Sequence, residues 1–193
     1  TSDVPRYISQ SDGALRIAWT VEDANAWSGI ATPAAALWLD RFRGTAEARV
    51  DLAVDGAASK DFEISLQNRY ALPGNLSGSG AYVLRFTQQP DGTYHALSAL
   101  RADEKNGLLA EGLSQIPDRI SLVLTPEGVR TQGDGLPDGV LPFAQAVDGV
   151  GLRIAIHAMR TVNNDGALVL RGVRTAMRPG PYTQPPKPAP GIT

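Results

Sequence analysis

Arg119-Ile120-Ser121-Leu122-Val123-Leu124-Thr125-Pro126-Glu127-Gly128-Val129-Arg130-Thr131-Gln132 is the stretch whose reading decides the fold. Two runs rich in Ile, Leu, Val and Thr flank a Pro-Glu-Gly corner, where proline pre-sets the first turn dihedral and glycine bends without steric cost. The unit reads as a β-hairpin. The same corner chemistry recurs at Gln89-Pro90-Asp91-Gly92 and at Asn163-Asn164-Asp165-Gly166, so turns punctuate the chain at intervals that suit short strands.

Outward from this hairpin the period of two continues. Leu15, Ile17, Trp19 and Val21 alternate with Arg16, Ala18 and Thr20, and Ala48, Val50, Leu52 and Val54 alternate with Glu47, Arg49, Asp51 and Asp55. Phe62, Ile64 and Leu66 alternate with Asp61, Glu63, Ser65, Gln67 and Arg69. Beyond a Gly/Ser-rich bend from Gly74 to Gly80, Tyr82, Leu84 and Phe86 alternate with Val83 and Arg85, and these two runs are expected to pair as neighbours. Thr93 to Leu100 reads as a further strand, Asp103 to Gln115 mostly as loop with room for a turn or two of helix, and Val140 to Phe143 as a short edge strand. Gly151 to Met159 and Ala167 to Ala176 read as a closing hairpin across Asn163 to Gly166, with both arms apolar enough for central strands. Together these segments predict an all-β chain, a two-sheet antiparallel β-sandwich of about ten to twelve strands with at most one short helix. One domain is expected over residues 1–178, followed by a Pro-rich tail or linker over 179–193 that favours an extended, solvated conformation.

Composition bounds the function. The chain has 193 residues, 42% of them hydrophobic, which is enough for one sizeable core, and its 20 Gly and 14 Pro suit corners rather than helices. Eighteen basic against 20 acidic residues leave a net charge of −2, so no electrostatic footprint for nucleic acid exists and none is expected as partner. No run of about 18 apolar residues could span a membrane. The absence of cysteine excludes disulfides, thiol catalysis and thiolate metal sites. A chain that opens at Thr1 is expected to be a processed or truncated product, secreted or of the periplasm or cell envelope, with its signal peptide outside the given sequence.

The order of an early strand pair, a long middle meander, the Ile120 to Val129 hairpin and the closing Gly151 to Ile156 and Ala167 to Val173 pair resembles the concanavalin A-like jelly roll. That superfamily includes lectins, laminin-G-like modules and several glucanases, and the resemblance covers about residues 8 to 178 in strand order and length. It implies that one sheet is curved and that its concave outer face holds sugar.

The residues out of phase with the core are the candidates for that face. Trp27, Glu63, Gln67, Arg69, Arg85 and His157 are expected to bind polysaccharide or oligosaccharide, with Trp27 as a stacking plate. A solvated face whose charges pair across strands, each pair worth about 0.2–1 kcal/mol, is the plainer reading of the same residues. The glucanases of this fold resemble one another in carrying Glu-x-Asp-x-x-Glu or Glu-x-Asp-x-Glu on one strand, because retaining hydrolysis needs two carboxylates about 5–5.5 Å apart. This chain has neither string, only Glu47-Ala48-Arg49-Val50-Asp51 and Asp61-Phe62-Glu63, so Asp51 and Glu63 could pair only from neighbouring strands. A polysaccharide lyase is the other catalytic reading: Gln67, Arg69, His157 and Tyr70 or Tyr82 are the types that neutralise a uronate and take its C5 proton. The expectation is therefore a non-catalytic carbohydrate-binding module, with a glycoside hydrolase or lyase using Glu63, Asp51 or His157 as the alternative. A structural module that binds protein by strand addition or through its Pro-rich tail is a third. No cofactor is expected and no metal site is assigned, since His95 and His157 are isolated in sequence. The loops Asn163-Asn164-Asp165-Gly166 and Asp134 to Asp138 carry oxygen ligands of the kind calcium takes, and a turn explains them equally well.

Overall fold

The computed structural model describes residues 8–18, 28–32, 36–39, 45–68, 82–100, 107–142, 150–158 and 165–179. These form fourteen strands and, among the described residues, no helix. They are β1 (Ile8–Ser11), β2 (Ala14–Ala18), β3 (Ser28–Ala31), β4 (Leu37–Leu39), β5 (Thr45–Val54), β6 (Phe62–Asn68) and β7 (Tyr82–Gln88). Then follow β8 (Tyr94–Leu100), β9 (Leu108–Leu113), β10 (Arg119–Thr125), β11 (Gly128–Gly133), β12 (Gly139–Pro142), β13 (Val150–Ala158) and β14 (Ala167–Pro179).

Alternation sorts them into two antiparallel sheets. Sheet A runs β1-β2-β14-β5-β10-β11-β12, and sheet B runs β3-β13-β6-β7-β8-β9 with β4 also on β13. The apolar phase of each strand turns inward: Ala48, Val50 and Leu52 of β5 and Ile120, Leu122 and Leu124 of β10 meet Phe62, Ile64 and Leu66 of β6 and Leu84 and Phe86 of β7 in one buried cluster. This is a jelly-roll β-sandwich. The Thr125-Pro126-Glu127-Gly128 corner closes β10 onto β11 with Thr125 opposite Gly128, as expected. At the Pro90 corner, Gly92 takes φ +85 and Asp91 Oδ1 accepts from Thr93 N at 2.9 Å and from Thr93 Oγ1 at 2.7 Å.

Three expectations are corrected. The arms around Asn163 to Gly166 are not a hairpin: β13 pairs with β3, β4 and β6 in sheet B, whereas β14 pairs with β2 and β5 in sheet A. Both are interior strands, but of different sheets. Residues 108–113, expected in loop, form β9 with an irregular register on β8 and with Gly112 at φ +68, which is why no clean alternation marks it. Asp61, expected on an outer face, is buried at φ +46, its Oδ1 accepting from Gln88 N at 2.9 Å. The tail over 180–193 lies outside the described residues.

Candidate functional site

The outer face of sheet B is built by register. Because Phe62, Ile64 and Leu66 point into the core cluster, Glu63, Ser65 and Gln67 take the opposite phase, and each meets a named neighbour. Glu63 and Ser65, with Val83 and Ala155 beside them, are themselves buried, so what this face exposes is Gln67, Arg85, Arg153 and His157 around that centre. His157 of β13, Glu63 of β6 and Arg85 of β7 form one row; Ala155, Ser65 and Val83 form the next; Arg153 stands opposite Gln67. Polar groups thus fall on three adjacent strands. Glu63 Oε2 accepts from Arg85 Nη2 at 2.8 Å and Nε at 3.2 Å, with the Glu63 side chain 2% exposed and that of Arg85 24%. Arg153 Nε donates to Gln67 Oε1 at 2.7 Å, and Gln67 Nε2 donates to Ser65 Oγ at 3.0 Å. Each guanidinium is thereby fixed in direction while remaining partly exposed.

Two further residues complete this face, and sequence reasoning missed both. Trp38 of β4 stands opposite Gly151 of β13, out of phase with the buried Leu37 and Leu39, and is 44% exposed on the same face as Arg153. The buried-exposed-buried triplet Leu37-Trp38-Leu39 was the available signal. Gly29 of β3 pairs with His157, and a Cβ there would come within 2.6 Å of His157 Cδ2, so the bare backbone makes room for the ring. That contact is invisible without the pairing partner.

Other candidates fall elsewhere. Trp27, Arg69 and Tyr70 lie outside the described residues. Tyr82 is corrected: it points into the core, 1% exposed, its hydroxyl 2.5 Å from Thr131 Oγ1 and accepting from Ser98 Oγ at 3.1 Å. Burial pushes that phenol up despite the two hydroxyl partners, so it offers no base to an outer face. Asp51 is also corrected. It lies on β5 of sheet A and Glu63 on β6 of sheet B, so the two carboxylates face opposite sides of the sandwich and cannot act on one bond. Asp51 accepts from Arg49 Nε at 2.7 Å and from Ser121 Oγ; burial raises its pKa, but these bonds and the charges of Arg49 and Arg174 outweigh it and hold the carboxyl below its ordinary value. His95 stands at the far end of the outer face, opposite Thr87 on β7. Among the described residues no group of three or more His, Asp or Glu is placed to hold a metal ion, and Asn163 and Asn164 lie outside them.

No family model and no curated protein matches the chain. Solved structures do. The exoplasmic/lumenal domain of VIP36, in a Ca²⁺/Man3GlcNAc-bound form, superposes with a TM-score of 0.51 at 11% identity, covering 92% of this chain and 84% of that one. A sialidase gives 0.51 at 12% identity over 88% of this chain, which spans only 16% of the sialidase. An alginate lyase from Pseudomonas aeruginosa gives 0.49 at 16% identity, over 92% of this chain and 87% of the lyase. At such identities the likeness is one of fold, and the fold is the concanavalin A-like jelly roll.

Proposed function

We propose that the protein is a non-catalytic carbohydrate-binding module that holds saccharide against the outer face of sheet B. The observation that carries this reading is the combination on one face of an exposed tryptophan plate with two anchored arginines: Trp38 beside Arg153, and Arg85 fastened to Glu63. A sugar ring presents apolar C–H faces and a rim of hydroxyls, so it asks for an aromatic surface and for donors and acceptors already fixed in direction. Gln67, Arg153 and Arg85 meet the second demand because cross-strand bonds, that of Arg85 to the buried Glu63 among them, hold them before any ligand arrives. The VIP36 structure of this fold was determined with a mannose glycan bound, which agrees with the reading.

Binding is favoured over catalysis by the state of the acids. Glu63 is sunk beneath Arg85, and the positions of the same phase on β13, β6 and β7 around it, His157, Ala155, Ser65, Val83 and Arg85, supply no second carboxylate of the kind two-carboxylate hydrolysis would require. Lyase chemistry keeps one supporting observation, that Arg153, Gln67 and His157 lie together on β6 and β13. Polysaccharide is met chiefly in secreted and envelope settings, where a module of this kind would work.

A glycan array with the intact chain tests the proposal: a defined set of glycans is retained, and Trp38→Ala lowers affinity about ten-fold or more, the order of a lost stacking contact. Retention of no saccharide, or binding unchanged in Trp38→Ala, would sink it. Release of unsaturated uronate products, abolished by His157→Ala, would make the lyase reading the right one.

A further inference from the structure

Sheet A carries a second groove on the opposite side of the sandwich. Two cavities of about 520 Å³ and about 320 Å³ adjoin at Arg49, which lines both. Arg49, Arg119, Arg130, Arg171, Arg174 and Arg178 line them against only Glu47 and Asp51, an excess of positive charge on a chain whose net charge is −2. Register explains the shape. Arg119 of β10, Ala53 of β5 and Gly172 of β14 form one row across the sheet, so the floor there has almost no side chain, and the next row is Ser121, Asp51 and Arg174. A bulge at Arg171, between Leu170 opposite Val54 and Gly172 opposite Ala53, adds one residue at that end and sets a further guanidinium on the rim.

The cations are not equally spoken for. Arg49 pairs with Asp51 at 2.7 Å, Arg171 with Asp55 at 2.5 Å, Arg178 with Glu47 at 3.7 Å and Arg130 with Asp138 at 3.8 Å. Among the described residues, Arg119 and Arg174 make no ion pair, and both are exposed. They flank the bare floor of Ala53 and Gly172: Arg119 has no carboxylate of its own, and Arg174 lies across from Asp51, whose hydrogen bonds go to Arg49 and Ser121.

We infer that this groove is a binding site for an acidic oligosaccharide, one whose carboxylate or sulfate groups are spaced by neutral hydroxyl-bearing units. Arg119 and Arg174 take the anionic groups, since a guanidinium matches a planar or tetrahedral oxyanion with two parallel N–H bonds. Asp51, Glu47 and the Ser121 and Thr125 hydroxyls accept from or donate to the sugar hydroxyls between them. The interspersed acids favour a chain of separated charges over a densely charged phosphate backbone. The lining has no aromatic side chain for bases to stack on, which single-stranded nucleic acid would want.

Titration of the intact chain at low ionic strength with oligogalacturonate, dextran sulfate and neutral dextran tests the site. The expected result is binding of one or both acidic polymers and not of dextran, weakening as salt is added; the stronger of the two identifies carboxylate or sulfate as the recognised group. Arg119→Gln with Arg174→Gln lowers that affinity at least about ten-fold, as loss of charge-assisted bonds should, while Glu111→Gln, at an exposed position of β9 outside both faces' named residues, leaves it unchanged. Both arginines are exposed, so a matching melting curve certifies the fold, and Arg174→Gln alone gives a smaller loss in the same direction. Binding of neither acidic polymer, equal binding by the double variant, or tighter binding of single-stranded DNA would overturn the inference.

Discussion

Asp61 is constrained in both backbone and side chain. Its backbone sits at φ +46, which Asp tolerates better than most side chains, and its carboxyl is buried with Oδ2 lacking a hydrogen-bond partner. Burial raises its pKa above the ordinary 3.8, against the opposing pull of the Gln88 amide and of Lys60. The folded state therefore holds the proton more tightly than the unfolded one, and stability from this group is present in acid and is lost as pH climbs from about 3.8 through the raised value. Asp61→Asn removes that slope while keeping an acceptor for Gln88 N. Denaturant midpoints measured from pH 4 to 8 should move in favour of the Asn variant as pH rises, by about 1.4 kcal/mol for each unit of upward shift, and parallel curves would refute the assignment. Arg85 tells the opposite story: removing it leaves the Glu63 carboxylate buried beside no cation. Arg85→Ala is expected to cost about 3 kcal/mol in chemical unfolding, with Glu63→Gln in the same chain recovering part of that loss.

At the scale of strands, phase was legible and partnership was not. The alternation in residues 46–54, 62–67 and 82–86 told which side chains join the core between the sheets, because a period of two has only two solutions, but not that Glu63, Ser65 and Val83 on the other phase are buried as well. Glu63, Gln67, Arg85 and His157 share one phase of sheet B, while Trp27 and Arg69 lie outside the described residues. What phase cannot say is which sheet a strand joins. Asn163 to Gly166 has hairpin chemistry, yet the strands around it belong to different sheets, because a turn residue lowers the cost of reversing direction without specifying lateral pairing. The same blindness put Asp51 beside Glu63 and overlooked Trp38, whose value comes from facing Gly151. Gly29 offers a direct test of such pairing. Ala at this position places its methyl against Ile156 O and His157 Cδ2, so Gly29→Ala should force β3 from β13, lower the melting temperature and loosen His157, visible as a shifted and broadened imidazole resonance. An unperturbed imidazole would argue against that close approach.

Across the described residues of the two sheets, apolar packing is joined by a buried polar bridge. Tyr82 of sheet B reaches across the interior to Thr131 of sheet A, with Ser98 closing the group. Tyr82→Phe leaves the two hydroxyls short of a partner in a dry place and is expected to cost about 1–3 kcal/mol, and Thr131→Val in the same background should then cost less than it does alone. Strictly additive losses in chemical unfolding would show that the bridge contributes nothing as a unit.

One feature of sheet A reaches beyond the folded state. The strand made last among those described, β14, lies between β2, made near the start, and β5. A ribosome delivers the flanks of this sheet long before their middle, so β2 and β5 must wait as open edges until synthesis has passed Pro179. A premature stop near residue 166 would therefore not shorten the protein at its rim; it would release a chain with the keystone of one sheet missing and two sticky edges in its place.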